Sequence, residues 1–183
     1  MNWFLSLDHH LFYLIHVQLH QKTLDPFMIF ITNLGRGEVQ AILLIFFAIW
    51  KRYRRYVAAA GIAGIFSGAI RVIFAHLVGR MRPSNFSYSH PLEPFYSNTS
   101  FPSGHTTASF AIAFMVLLMN WGKKGCWTGW SLMVLATLVG FSRIYVGVHF
   151  PTDVLGGMAF GCSCTSLVYL FLRRTKILAV NKT

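Results

Sequence analysis

The sequence predicts an all-α fold: an integral membrane helical bundle of about five transmembrane helices plus an N-terminal interfacial amphipathic helix. Its 183 residues are 55% hydrophobic and only 11% charged, too apolar and too poor in surface charge for an ordinary soluble domain. Apolar stretches of the length a bilayer takes, about 20 residues per helix, recur along the chain. No internal repeat or low-complexity linker divides it, so residues 1–183 read as a single membrane domain.

Residues 1–23 set Phe4, Leu7, Leu11, Leu14 and Ile15 at helical spacing against Ser6, Asp8, His9, His10, Gln18 and Lys22. Too short and polar to span, this stretch is expected to lie in the interface. It has no basic start, apolar run and small-residue cleavage site in the order of a signal peptide, so it is expected to be retained. Segment 25–50 breaks at Asn33-Leu34-Gly35-Arg36-Gly37, which predicts one kinked or split helix. Segments 56–78, 105–121, 128–148 and 151–172 each meet the length of a span, and 173–183 is a basic tail. Cys126, Cys162 and Cys164 lie at or within spans, at a spacing that matches no zinc or redox motif, and are expected only to pack.

A formal net charge of +11 would raise nucleic acid as a partner in a soluble protein, but its distribution argues otherwise. Lys51, Arg52, Arg54 and Arg55 form one cluster, Lys123 and Lys124 a second, and Arg173, Arg174, Lys176 and Lys182 a third. Under five spans all three fall on one side, which the positive-inside rule makes cytoplasmic, with anionic lipid heads as a further contact. The charges orient the protein; no nucleic acid is expected.

The opposite side gathers 79–83, 102–105 and 142–153. Pro102-Ser103-Gly104-His105 reads as a turn and cap, with Ser103 a good N-cap. Arg143, His149 and Asp153 read equally as an interface ion cluster, except that ionisable groups near membrane depth cost roughly 2.5–3.5 kcal/mol each on insertion scales and tend to be functional. Asp153 is the only carboxylate side chain after Glu93. Pro151 suits the first turn of a helix, placing His149 just before it and Asp153 within its opening turn. The carboxylate then accepts from one imidazole nitrogen and leaves the other free as a nucleophile. Ser103, Gly104 and His105 open the 105–121 helix, whose N-terminal N–H groups favour an anion. With the planar forks of Arg82 and Arg143, the set suits a phosphate group.

These residues resemble the type 2 phosphatidic acid phosphatase superfamily of membrane lipid phosphatases. Its motifs K-x6-R-P, P-S-G-H and S-R-x5-H-x3-D correspond to Arg82-Pro83, to Pro102-Ser103-Gly104-His105, and to Ser142-Arg143 with His149 and Asp153. The likeness covers about 25–172. It implies that His149 attacks phosphorus to form a phosphohistidine, that Asp153 orients His149, and that His105 protonates the leaving lipid oxygen. It also implies that Arg82, Arg143, Ser103 and the Gly104 backbone hold the phosphate oxygens, with no cofactor and no metal.

The family lysine is missing: its position is Ala75. His76 points about 100° away around the helix, and Arg71 sits one turn deeper, leaning from the mouth. Arg71 is expected to pair with backbone or a polar neighbour, and Arg80 to supply the missing cation. The long 84–101 loop, with Phe86, Tyr88, Phe95, Tyr96 and Phe101, is expected either to shape access for a headgroup or to anchor at the interface. His16 and His20, at i, i+4, lack a third metal ligand and read as interfacial polar residues.

The expected protein is a lipid phosphatase of the bacterial inner membrane, its site facing the periplasm and its C-terminus in the cytoplasm. Lipid A 1-phosphate, undecaprenyl diphosphate, phosphatidylglycerol phosphate and phosphatidic acid stay open as substrates. A lipid-to-lipid phosphotransferase and a non-catalytic lipid binder stay open as alternatives, and oligomeric state is not legible. A haloperoxidase fits the shared motifs but not the spans.

Overall fold

The computed structural model describes residues 3–94 and 99–175. Phe95, Tyr96, Lys176, Lys182 and the side chain of Phe4, all used above, lie outside the described residues. The helices are α1 (Trp3–Tyr13), α2 (Asp25–Leu34), α3 (Gly37–Ala48), α4 (Arg54–Val78), α5 (Gly104–Asn120), α6 (Cys126–Tyr145) and α7 (Pro151–Arg174). A π-helical turn at Leu14–Gln18 and 3₁₀ turns at Lys51–Tyr53 and Pro83–Asn85 complete the order.

Every apolar segment forms helix, and the bundle is all-α. Helices α4 and α7 are each long and apolar enough to cross a bilayer; α2 and α3 qualify together, bent by 63° at the Gly35-Arg36 break. Helix α5 is apolar but only 17 residues long. Helix α3 buries no residue, and Ile42, Ile45, Ile65, Ile73, Leu77 and Phe171 are all exposed, the surface a protein presents when its solvent is hydrocarbon.

Helix α5 is the centre, packed against α4, α6 and α7. Its own buried face holds Thr106, Thr107, Phe110, Ala111, Met115 and Leu117. Glycines on α7 let the backbones meet: a Cβ on Gly157 would lie 2.8 Å from the Ser103 carbonyl oxygen, and one on Gly161 2.5 Å from that of Thr107. The pairings 157 with 103 and 161 with 107 make α5 and α7 parallel. By contrast Gly129 meets Leu117 and Gly140 meets Thr106, so α6 runs antiparallel to α5. Tyr56 of α4 donates to Asn120 of α5 at 2.9 Å, which makes α4 antiparallel too. The basic groups near 51–55, 123–124 and 173–174 therefore share one end of the bundle, and residues 79–105 and 142–153 share the other.

Helix α1 is a separate short helix that packs on α7. Asp8, Phe12 and His16 are buried, whereas Trp3, Leu5, Leu7 and Leu11 are exposed. Leu7 and Leu11 are thus left for lipid, while Asp8 and Phe12 face the protein and Ser6 and His10 stay exposed. Correspondingly His16 is not an interfacial polar residue: its Nδ1 donates to the Tyr145 carbonyl at 2.8 Å and its Nε2 accepts from the His90 N–H at 3.0 Å. The aromatics Phe86 and Tyr88 pack on Phe12 and Phe150, binding the 84–94 loop to α1.

The glycine contacts generate a test. Gly161→Ala must part α5 from α7 and should cost about 1–3 kcal/mol, seen as a lower thermal midpoint in detergent. Gly68→Ala on α4, where a Cβ meets nothing within 4 Å, should be neutral or stabilising by up to about 1 kcal/mol.

Candidate active site

Three chain turns bring the chemistry together. Gly79 adopts φ 59° and ends α4, swinging Arg80, Met81 and Arg82 out over the bundle end. Ser103 precedes α5 in an extended conformation, φ −62° and ψ 121°, without a side-chain cap bond; its fully buried hydroxyl accepts from Thr106 Oγ1 at 3.0 Å instead. After α6 the backbone folds back, the Val148 and His149 N–H groups both donating to the Arg143 carbonyl at 3.2 Å. Pro151 then starts α7, with the Asp153 carboxylate accepting the Phe150 N–H at 2.8 Å.

A cavity of about 130 Å³ results, lined by Arg71, Arg82, Gly104, His105, Arg143 and His149, with Ser84, Glu93 and Val148 at its sides. His149 is 1% exposed. Its Nε2 is 3.3 Å from Arg82 Nη1, and its Nδ1 is 3.4 Å from the Ser100 hydroxyl and 3.6 Å from Asp153 Oδ2. The last distance is a charge contact rather than the direct hydrogen bond expected between His149 and Asp153; the hydroxyl of Ser100, which donates to Asp153 Oδ2, stands beside both. Burial, opposed by Asp153 and reinforced by Arg82 and Arg143, pushes the His149 imidazolium down to about 3, so the ring is a free base at neutral pH.

The arginines are each held by part of the guanidinium. Arg143, 4% exposed, donates through Nη1 to Thr32 Oγ1 and Glu93 Oε2, both at 2.7 Å. Arg82 donates to the Val148 carbonyl at 3.1 Å. The Nε of each, and Nε2 of His105, are buried without a partner among the described residues. Native interiors rarely leave such groups unmatched, and these three, with Ser84 Oγ as a fourth, point to a polar ligand in the cavity.

Arg80 is not where the sequence reading put it. It does not line the cavity; its Nη1 donates to Asp153 Oδ1 at 2.7 Å and its Nη2 to Asp8 Oδ2 at 2.5 Å. Two carboxylates hold it behind Asp153, away from any phosphate in the cavity. The further cation that lines the cavity is Arg71. It does bond backbone, Nε donating to the Pro102 carbonyl at 2.9 Å, yet its guanidinium also lies against Gly104, within 3.6–3.7 Å of where a Cβ would be. Sequence reasoning also missed Ser100, Glu93, Thr32 and Asp8; only the scarcity of carboxylates, five in the chain, singled out Glu93 and Asp8.

Comparison with known proteins agrees with this arrangement: the family model described as "PAP2 superfamily" matches residues 52–177. The chain belongs to the PAP2 superfamily. It is 35% identical over 170 residues to undecaprenyl-diphosphatase BcrC of Bacillus subtilis, covering 90% of this chain and 84% of that one. It is 28% identical over 183 residues to a lipid A 4′-phosphatase of Porphyromonas gingivalis, covering 92% and 74%. In structure it resembles Aquifex aeolicus LpxE, with a TM-score of 0.76 and 31% identity over 88% of this chain and 94% of that one. It also resembles the PAP2-type phosphatidylglycerolphosphate phosphatase of Bacillus subtilis, with a TM-score of 0.79 and 27% identity over 95% and 88%. As a PAP2 protein the chain is a membrane phosphatase acting on lipid phosphates.

The state of His149 can be read directly. NMR of protein labelled at histidine Cε1 should show no His149 titration as pH falls from 8 through its ordinary value of 6.5 toward 3. The unfolded chain binds that proton near 6.5, so over the same window acid should lower stability.

Proposed function

We propose that this PAP2 protein hydrolyses a lipid diphosphate or phosphate monoester through a phosphohistidine on His149, without a metal, at the periplasmic face of a bacterial inner membrane. One observation carries the reading: a buried, neutral imidazole lines a cavity whose polar walls include Arg71, Arg82, Arg143, His105 and the Gly104 backbone, against one carboxylate, Glu93. A polyprenyl diphosphate is the favoured substrate, supported by the likeness to undecaprenyl-diphosphatase BcrC along most of both chains.

In this mechanism the three guanidinium groups and the start of α5 bind the transferring phosphoryl group and match the charge that grows on its oxygens, usually the largest catalytic contribution. Nε2 of His149 bonds to phosphorus as the bond from phosphorus to the lipid-side oxygen breaks. His105, taking up a proton that the substrate phosphate brings with it, passes that proton to the leaving oxygen. Asp153, through its negative charge behind the ring, stabilises the cationic phosphoimidazole. Water then attacks phosphorus, His105 takes the proton back, and inorganic phosphate leaves.

The hydrocarbon part has room close by. An apolar cavity of about 500 Å³, walled by Leu34, Leu44, Phe47, Ile112 and Val139, begins where Gly35 packs between Val139 and His105. A tail attached to the oxygen that His105 protonates can run down it. The facing toward the periplasm is supported by the basic clusters gathered at the far end of the bundle.

A phosphate-release assay on detergent-solubilised protein tests the reading. His149→Ala should abolish turnover of a polyprenyl diphosphate, and a chelator should leave the wild-type rate unchanged. Arg71→Gln should lower kcat/KM about 10- to 100-fold, the worth of one hydrogen bond to a charged group. Activity surviving in His149→Ala would remove the covalent route, and chelator sensitivity the metal-free one.

A further inference from the structure

Asp8 stands on α1, outside the 52–177 stretch that the family model matches. Its side chain is 1% exposed, and a carboxylate so buried is costly unless paired. Its partners lie at the start of α7 and on the chain just after α4. Oδ1 accepts the Thr152 N–H at 3.0 Å, and Oδ2 accepts the Thr152 hydroxyl at 2.6 Å and Arg80 Nη2 at 2.5 Å. Arg80 donates from Nη1 to Asp153 Oδ1 at 2.7 Å and rests over the Phe150 ring, 4.5 Å from its centroid. That ring packs in turn on His9 and Phe12 of α1.

A line of charge therefore runs Asp8, Arg80, Asp153 and ends at His149. Neither Asp8 nor Arg80 lines the phosphate cavity, so neither is placed to touch substrate. We infer that Asp8 is a positioning residue for the phosphatase reaction, sharing Arg80 with Asp153 and fixing the start of α7. The inference rests on His149 being the nucleophile. Its physical basis is charge arithmetic. Asp153 paired with Arg80 alone is neutral, and little negative charge is left for the ring that turns cationic on bonding to phosphorus. With Asp8 as second claimant on Arg80, the trio carries one net negative charge against that ring, fixed in place before the reaction.

The test uses the full chain in detergent with farnesyl diphosphate as probe. Asp8→Asn keeps the shape and drops the charge; kcat should fall about 10- to 100-fold while KM stays within about threefold, because the cavity arginines are untouched. Adding Arg80→Gln removes the now unbalanced cation and restores a net negative Asp153, so the double variant should be faster than Asp8→Asn alone and slower than wild type. A purely structural role for Asp8 predicts no such recovery. The inference is overturned if Asp8→Asn keeps kcat within about twofold of wild type, or if the folded double variant is no faster than the single. Should Asp8→Asn fail to fold, a folded double variant with wild-type kcat overturns it. Wild type and His149→Ala run alongside separate failure of this inference from failure of the phosphohistidine reading.

Discussion

Buried guanidinium groups have to be held by something, and this chain has sixteen Lys and Arg against five Asp and Glu. Desolvating an unpaired cation at membrane depth is costly. The carboxylates are placed accordingly: Glu93 on Arg143, and Asp8 and Asp153 on Arg80. Arg71 and Arg82 take main-chain carbonyls instead, at Pro102 and Val148. A carbonyl orients a guanidinium without neutralising it. The cavity thus keeps positive charge that its own walls do not cancel, and an anionic ligand completes the balance. Under the proposed function binding and stability pull the same way, since a phosphate bound there would also relieve the site.

That arrangement depends on helix contacts far more than on the loops. Gly157 and Gly161 let α7 approach the α5 backbone, which sets the turn carrying His149 beside the turn carrying His105. Substituting bulk there would move His149 away from the arginine-lined cavity. The loop 84–94 adds Glu93, and it is tied down through Leu92 N–H to the Val146 carbonyl at 3.0 Å and through His16. The N-terminal segment thus braces the surroundings of the cavity twice, His16 holding the 84–94 loop and Asp8 holding Arg80 and Thr152.

The bundle was legible because hydrocarbon as solvent leaves a plain mark: long apolar runs that must be helical. Segment 56–78 became Arg54–Val78 and 151–172 became Pro151–Arg174, and the 33–37 break became a real bend. His105, Arg82, Arg143 and His149 were legible because local motifs fix their types, and the structure places all four on one cavity. What could not be read is whatever crosses between elements with no fixed sequence distance. Asp8 meets Thr152 across 144 positions and Arg143 meets Thr32 across 111.

Arg71 shows how a depth argument made on one helix fails in a bundle. Taken on α4 alone, position 71 is a turn below Ala75 and its side chain leans further from the mouth. But α5 has only 17 residues against 25 in α4, and its first turn is sunk to the level of residue 71, as the bond from Arg71 to Pro102 shows. Ala75, 2% exposed, is already closed off by packing. Position 71 is therefore the one on α4 level with the start of α5, and Arg80, beyond the helix end, pairs with Asp153 instead. The recess also puts the arginine-lined cavity below the bundle rim, where fewer waters screen the guanidinium charges and each acts more strongly on whatever charge faces it.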